Sequence, residues 1–166
     1  MIEAVNKYNR ISELVDDSIR DEDFLTALET FIGIYKEERH KKESLTIPAS
    51  IFADRKIGVL EITVKYLKEN CTLNYSRIAK LLNRDDRTIW TAYHEAAKKH
   101  KEKFAIKKEE YNIPCNIFSE RKLGPLEALV TYLKNDLNLS FKQISEMLNR
   151  NYRTIWLSYK NGKKKI

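Results

Sequence analysis

Glycine and proline are scarce, with 4 and 3 in 166 residues. Long stretches without either disfavour hairpin-rich β structure and favour helix. No run of about 18 apolar residues occurs, so no membrane span is expected. The opening MIEAVNKYNR lacks the apolar centre of a secretory signal. Cys71 and Cys115 stand alone, without a CxxC spacing or a Cys/His cluster. They suit a reducing compartment and argue against a zinc finger. His40, His94 and His100 have no matching acid or nucleophile, and no phosphate-binding glycine loop or metal-ligand spacing is present. The expectation is a cytoplasmic protein that is not an enzyme and uses no cofactor or metal.

What is present is enough apolar content for a core, 42%, and an uneven charge. Residues 1–43 hold 7 Lys/Arg against 11 Asp/Glu, a net −4. Residues 44–110 hold 14 against 9 and residues 111–166 hold 10 against 4, net +5 and +6. An acidic head on a basic body suggests that the body meets a polyanion and the head does something else.

The body is a repeat. Ile47-Pro48-Ala49-Ser50-Ile51-Phe52 aligns with Ile113-Pro114-Cys115-Asn116-Ile117-Phe118, and the offset of 66 holds without a gap to Lys98-Lys99 against Lys164-Lys165. About 25 of the paired positions are identical, which establishes an internal duplication. Each copy reads as a small domain of roughly 55 residues.

Within a copy the periodicity is helical. Ile47-Pro48 fits an extended lead-in or a first helical turn. Leu60, Val64 and Leu67 predict an amphipathic helix. Asn70-Cys71-Thr72 breaks it, and Leu73, Ile78, Leu81 and Leu82 mark a short second helix capped by Asn74 or Ser76. Asn83-Arg84-Asp85 is a tight turn, since Asn tolerates the left-handed conformation and Asp85 can cap the next helix. That third helix runs from about Asp86 to at least Lys99, with Ile89, Tyr93 and Ala96 inward. Repeat two matches it through Leu126, Val130 and Leu133, then Ile144, Met147 and Leu148, Asn149-Arg150-Asn151, and Ile155 and Tyr159. A short helix, a tight turn and a long basic helix make a helix-turn-helix pattern. The predicted fold is all-α: an N-terminal helical hairpin (1–43), then two tandem helix-turn-helix domains (44–104 and 105–166).

The stretch Leu73-Asn74-Tyr75-Ser76-Arg77-Ile78-Ala79, then Arg87-Thr88-Ile89 and Ala96-Ala97-Lys98-Lys99, resembles the fourth region of bacterial sigma factors and the related LuxR-type domains. Repeat two offers Leu139-Ser140-Phe141-Lys142-Gln143-Ile144-Ser145 and Arg153-Thr154-Ile155. The resemblance covers roughly residues 45–103 and 111–166. It implies DNA-binding modules acting in transcription. The turn departs from the family, with Asn83-Arg84 and Asn149-Arg150 where glycine and an apolar residue are usual. Trp90 and Trp156 also replace a small or charged residue.

In this geometry the third helix enters the major groove of double-stranded DNA. Its outer face carries Asp86, Arg87, Trp90, Thr91 and His94 in repeat one, and Tyr152, Arg153, Trp156, Leu157 and Lys160 in repeat two. Arg87 and Arg153 can read guanine in bidentate fashion; a phosphate contact or a bridge to Asp85 are the alternatives. Arg84 and Arg150 sit in the turns, where a phosphate contact is favoured. Thr88 and Thr154 suit phosphate bonding or capping. Trp90 and Trp156 sit at the edge of the buried stripe, where sealing the core is favoured over touching a thymine methyl or sugar edge. Lys98, Lys99, Lys101, Lys103, Lys163, Lys164 and Lys165 would pair with phosphates. Arg55-Lys56 and Arg121-Lys122 recur before the first long helix, as pairs for Glu61 and Glu127 or as phosphate contacts.

As a direct repeat, the pair suits adjacent turns of one duplex better than a palindrome. The two copies differ at Asp86 and Tyr152, Thr91 and Leu157, and Glu95 and Asn161, so they should read different half-sites, or one copy should bind mostly without sequence preference. The head carries two apolar stripes that need a partner; a homodimer through residues 1–43 is preferred, with docking on the repeats or binding of a different partner as the alternatives. Residues 97–111, rich in charge, suggest a prolonged third helix acting as a stiff spacer. The favoured function is a nucleoid-associated transcriptional regulator. The alternatives are a sequence-tolerant architectural DNA-binding protein and a helical protein-interaction adaptor.

Overall fold

The computed structural model describes residues 32, 45–106 and 111–166. The chain divides into two units, Met1–Glu43 and Ser44–Ile166. The helical hairpin expected of the head lies, Ile32 apart, outside the described residues, as do linker residues 107–110. The boundary near residue 104 suggested by the repeat falls inside the second unit.

That unit is mostly helical. Repeat one runs β1 (Thr46–Pro48), a 3-10 turn (Ala49–Ala53), α1 (Val59–Glu69), α2 (Tyr75–Leu81) and α3 (Asp86–Lys99). Repeat two runs β2 (Asn112–Pro114), a 3-10 turn (Cys115–Ser119), α4 (Pro125–Asn135), α5 (Phe141–Met147) and α6 (Tyr152–Lys163). The small two-stranded sheet is an addition to the all-α expectation. Proline holds the Ile-Pro lead-in extended, and the second copy of the same segment supplies the partner strand, which local sequence cannot reveal.

The same local devices start and stop the helices in both copies. Glu61 Oε2 accepts the Gly58 N–H at 3.0 Å and Glu127 Oε2 accepts the Gly124 N–H at 2.8 Å, capping α1 and α4. Asn74 and Ser140 cap α2 and α5, accepting from Arg77 N and Gln143 N. Thr72 and Asn138 carry positive φ in the α1–α2 and α4–α5 connections, and Asn83 and Asn149 do so in the turns before the third helices. Asn accepts this conformation readily, whereas the β-branched Thr72 is strained there.

Helices α1 and α4 are central. Ile62, Val64 and Leu67 on α1, and Leu129, Val130 and Leu133 on α4, are fully buried, and Ile78, Leu82 and Ile89, with Ile144, Leu148 and Ile155, close over them. Burial wraps α1 almost entirely, so even Lys65 is buried; its Nζ lies 2.6 Å from Glu69, which also accepts from the Tyr93 hydroxyl at 3.1 Å. The corresponding set in repeat two is Thr131, Asn135 and Tyr159, where Tyr159 donates to Asn135 at 3.0 Å.

Tandem order along the chain does not become translation in space. Strands β1 and β2 pair antiparallel with Ile47 opposite Ile113, its own equivalent. Phe52 meets its equivalent Phe118 with ring centroids 5.9 Å apart. Ala49 N donates to Tyr111 O at 3.1 Å, and Cys115 N to Leu45 O at 2.8 Å, which is the same bond with the repeats exchanged. Helix α2 touches the 3-10 turn of repeat two, while α5 touches that of repeat one. Equivalent residues meeting each other in antiparallel fashion define an internal two-fold axis, the isologous arrangement of a symmetric dimer.

The prolonged third helix is not formed. His100 leaves α3 with φ −140° and ψ 101°. Its ring stacks on Phe104 at 4.8 Å, Phe104 is buried, and Asn70 Nδ2 donates to the Phe104 carbonyl at 3.0 Å. Burying an aromatic ring outweighs continuing an exposed, charged helix.

Candidate nucleic-acid interface

The third helices owe their direction to the turn and cap before them. Arg84 N donates to Ala79 O at 2.9 Å, and Arg150 N to Ser145 O at 3.0 Å, closing the turns. Asp85 then caps α3, accepting from Thr88 N at 2.8 Å and Thr88 Oγ1 at 2.7 Å. Those bonds hold the Asp85 carboxyl below its ordinary value. Asp85 is thereby engaged by Thr88, and Thr88 acts as a capping partner. In repeat two Asn151 caps α6 through Arg153 N at 2.8 Å.

Beyond the caps, Ile89, Ala92 and Ala96 on α3 and Ile155 and Gly162 on α6 face inward. Asp86, Arg87, Trp90, Thr91 and Lys98 are exposed, and His94 is half-buried. On α6, Tyr152, Arg153, Thr154, Trp156, Leu157, Lys160 and Lys163 are all exposed. Each helix therefore displays its sequence-predicted residues as one continuous outer face.

The tryptophans correct the packing expectation. Trp90 is 51% exposed and Trp156 40%, so neither seals the core. The neighbouring Ile89 and Ile155 fill it completely, and the next helical position points outward. Trp90 lies against His94, with centroids 3.8 Å apart, and the His94 Nδ1 bonds the Trp90 carbonyl at 2.8 Å. Trp156 lies under Lys160, whose Nζ is 4.9 Å from the ring. Near it, Phe141, Trp156 and Tyr159 line a groove of about 350 Å³ rimmed by Lys160, Lys163 and Lys164.

The lysine runs are not uniformly free. Lys99 Nζ binds Glu61 at 2.8 Å and Lys165 Nζ binds Glu127 at 2.6 Å, tying the end of each third helix to the start of the first. Lys98 pairs with Glu95 on the surface at 2.8 Å. Since Glu61 and Glu127 are taken by these lysines and by the capping N–H groups, they do not pair with Arg55-Lys56 or Arg121-Lys122.

Those arginines reach across the repeat boundary instead. Arg121 donates to the Asn83 carbonyl at 3.4 Å and lies close to Arg84, while Arg55 lies close to Arg150. Burial first, and then the neighbouring arginine, pull Arg84 and Arg150 below the usual guanidinium value; Asp85 and Asp54 respectively counter this. The Nε atoms of Arg84 and Arg150 are buried and have no hydrogen-bond partner. Two neighbouring guanidiniums of like charge suit a shared anion. A groove of about 700 Å³ gathers Arg55, Arg87, Thr91 and Arg150 with the start of α4, so the outer face of α3 and the turn into α6 open on one side. Sequence offered one signal for Arg55 and Arg121, their recurrence in both copies; their partners come from the other repeat.

Burial pushes the Cys115 thiol up to about 12 and raises Cys71 as well, so neither favours a thiolate near neutral pH. Among the described residues no group of three or more His, Cys, Asp or Glu is placed to hold a metal, and no helix is long and apolar enough to cross a membrane. No family model matches the chain, and neither a curated protein nor a solved structure shows significant similarity to it.

Proposed function

We propose that the chain binds double-stranded DNA as a transcriptional regulator, inserting α3 and α6 into the major groove as the recognition helices of two helix-turn-helix modules related to sigma region 4 and LuxR-type domains. The observation that carries this reading is the pair of outward faces. Both keep Arg, Thr and Trp at equivalent positions (Arg87, Thr88, Trp90; Arg153, Thr154, Trp156) while burying none of those tryptophans in the core. A half-exposed tryptophan kept twice beside an exposed arginine suits a surface that meets a ligand. The acidic head, residues 1–43, is assigned to assembly with a second copy, and nucleoid association follows from the DNA reading.

Binding of the full chain to random duplex DNA at two salt concentrations tests this. The expected result is binding at low salt that weakens as salt rises, with log K falling by about 0.9 per phosphate contact for each tenfold increase. Arg87→Ala and Arg153→Ala should each weaken binding. Absence of binding at low salt would overturn the proposal. A protein-interaction adaptor is the second reading, favoured by the exposed Tyr152, Trp156 and Leu157 on α6; it requires both arginine variants to leave DNA affinity unchanged. Tight binding without sequence enrichment would indicate the architectural role.

A further inference from the structure

We infer that a single chain reads an inverted, two-fold-symmetric DNA site, as a dimer built into one polypeptide, and that it grips one phosphate on each strand through arginine pairs shared between the repeats. This rests on the DNA-binding reading above and deepens it.

The two repeats are related by rotation. Ile47 paired with Ile113, Phe52 against Phe118, and the exchanged bonds Ala49 to Tyr111 and Cys115 to Leu45 place a two-fold axis between them. Helices α3 and α6 are related by that axis, so they address a ligand in opposite senses. B-DNA has two-fold axes perpendicular to its length, and a two-fold object docked on one makes equivalent contacts with both strands of an inverted repeat. A direct repeat would need the helices related by translation along the duplex, which the shared sheet forbids. The groove holding Arg87, Thr91 and Arg150 sets the start of α3 and the turn into α6 on one side, as contact with one duplex requires.

The arginine pairs obey the same axis. Arg84 with Arg121, which also donates to the Asn83 carbonyl, and Arg150 with Arg55 each join the turn of one repeat to the lead-in of the other. Each pair lines an open groove, Arg84 with Arg121 on one side and Arg150 with Arg55 on the other. A phosphate oxygen between the two guanidiniums would relieve their repulsion. Each clamp is incomplete without the other repeat, which ties DNA affinity to the repeat-to-repeat interface.

The symmetry is imperfect where side chains differ. Arg87 and Arg153 match, whereas Asp86 is replaced by Tyr152 and Thr91 by Leu157. The bases under the arginines should therefore be symmetric and the flanking ones not.

Selection of bound sequences from a random duplex pool by the full chain, followed by measurement of stoichiometry on the winner, tests the inference. The expected outcome is an inverted repeat occupied by one chain, with affinity falling about tenfold or more when one half-site is turned round. Arg121→Gln and Arg55→Gln, checked for unchanged thermal stability, should each reduce the salt slope by about 1. Direct repeats, a lone half-site, unenriched binding, or an inverted repeat whose two halves are filled by repeats of two different chains would overturn the inference while leaving DNA binding intact. Unchanged salt slopes would overturn the clamps. Absence of any binding at low salt would overturn the underlying reading as well.

Discussion

At the scale of single residues, helical phase separates neighbours that look alike in sequence. Ile89 and Trp90 are adjacent and both apolar, yet one is fully buried and the other half-exposed. A step of about 100° per residue carries the chain from the core to the surface. The consequence is measurable. Trp90→Ala and Trp156→Ala should each cost less than about 1 kcal/mol in a denaturant titration, well below the roughly 3–5 kcal/mol of a buried tryptophan. The same variants should weaken duplex binding. A loss of about 3 kcal/mol or more in stability would place these rings in the core after all. Lys65 shows the reverse case: its type suggests a surface position, but it is buried on α1 against Glu69. Charge alone could not reveal it, because the neighbours that cover it come from α3 and the linker.

At the scale of elements, each repeat is fastened by one tie between the end of its third helix and the start of its first. In repeat two Lys165 bonds Glu127, and Glu127 also accepts from Gly124 N. The hydrogen bond from Lys165, followed by that from Gly124, holds the Glu127 carboxyl below its ordinary 4.5 against the opposing effect of burial. A carboxyl depressed in the folded state stabilises fully above its unfolded value, and the contribution is lost as pH falls through the folded value. Glu127→Gln should cost on the order of 0.5–1 kcal/mol near neutral pH. In thermal denaturation from about pH 7 to about pH 3, the gap between wild type and variant should close below about pH 4.5. A gap that persists at the acid end would mean that shape, not charge, makes the contact. The helices, turns and caps themselves were legible in the sequence, since the Asn83 and Asn149 turns and the Asp85 cap depend on near neighbours. The strand was not, because three extended residues are stabilised only by a partner 66 positions away.

At the scale of the molecule, two copies that could have been beads on a string share one core. Ile47, Ile113, Phe52 and Phe118 lie at their junction. Unfolding should then be a single cooperative event. Each repeat holds one tryptophan, so Trp90→Phe and Trp156→Phe leave single reporters in repeat two and repeat one. Their fluorescence transitions should coincide in denaturant. Phe118→Ala, which leaves a cavity at the junction and costs about 3–5 kcal/mol, should shift both reporters together. Separate midpoints would show two independent domains.

The amino-acid order by itself determined the duplication, the three helices of each copy, the turn and cap chemistry, and most of the outward face of each third helix, the tryptophans excepted. All of these follow from interactions within a few residues or from the register of one copy on the other. Only the tertiary structure decided that the copies face each other about a two-fold axis, that Phe104 folds back and ends α3, and that Arg55 and Arg121 stand beside the opposite repeat's turn. The physical reason is that a repeated sequence is compatible with either translation or rotation between its copies. The choice is made by what the lead-in strands and their phenylalanines can bury, and here Ile47, Phe52, Ile113 and Phe118 are buried where equivalent segments meet.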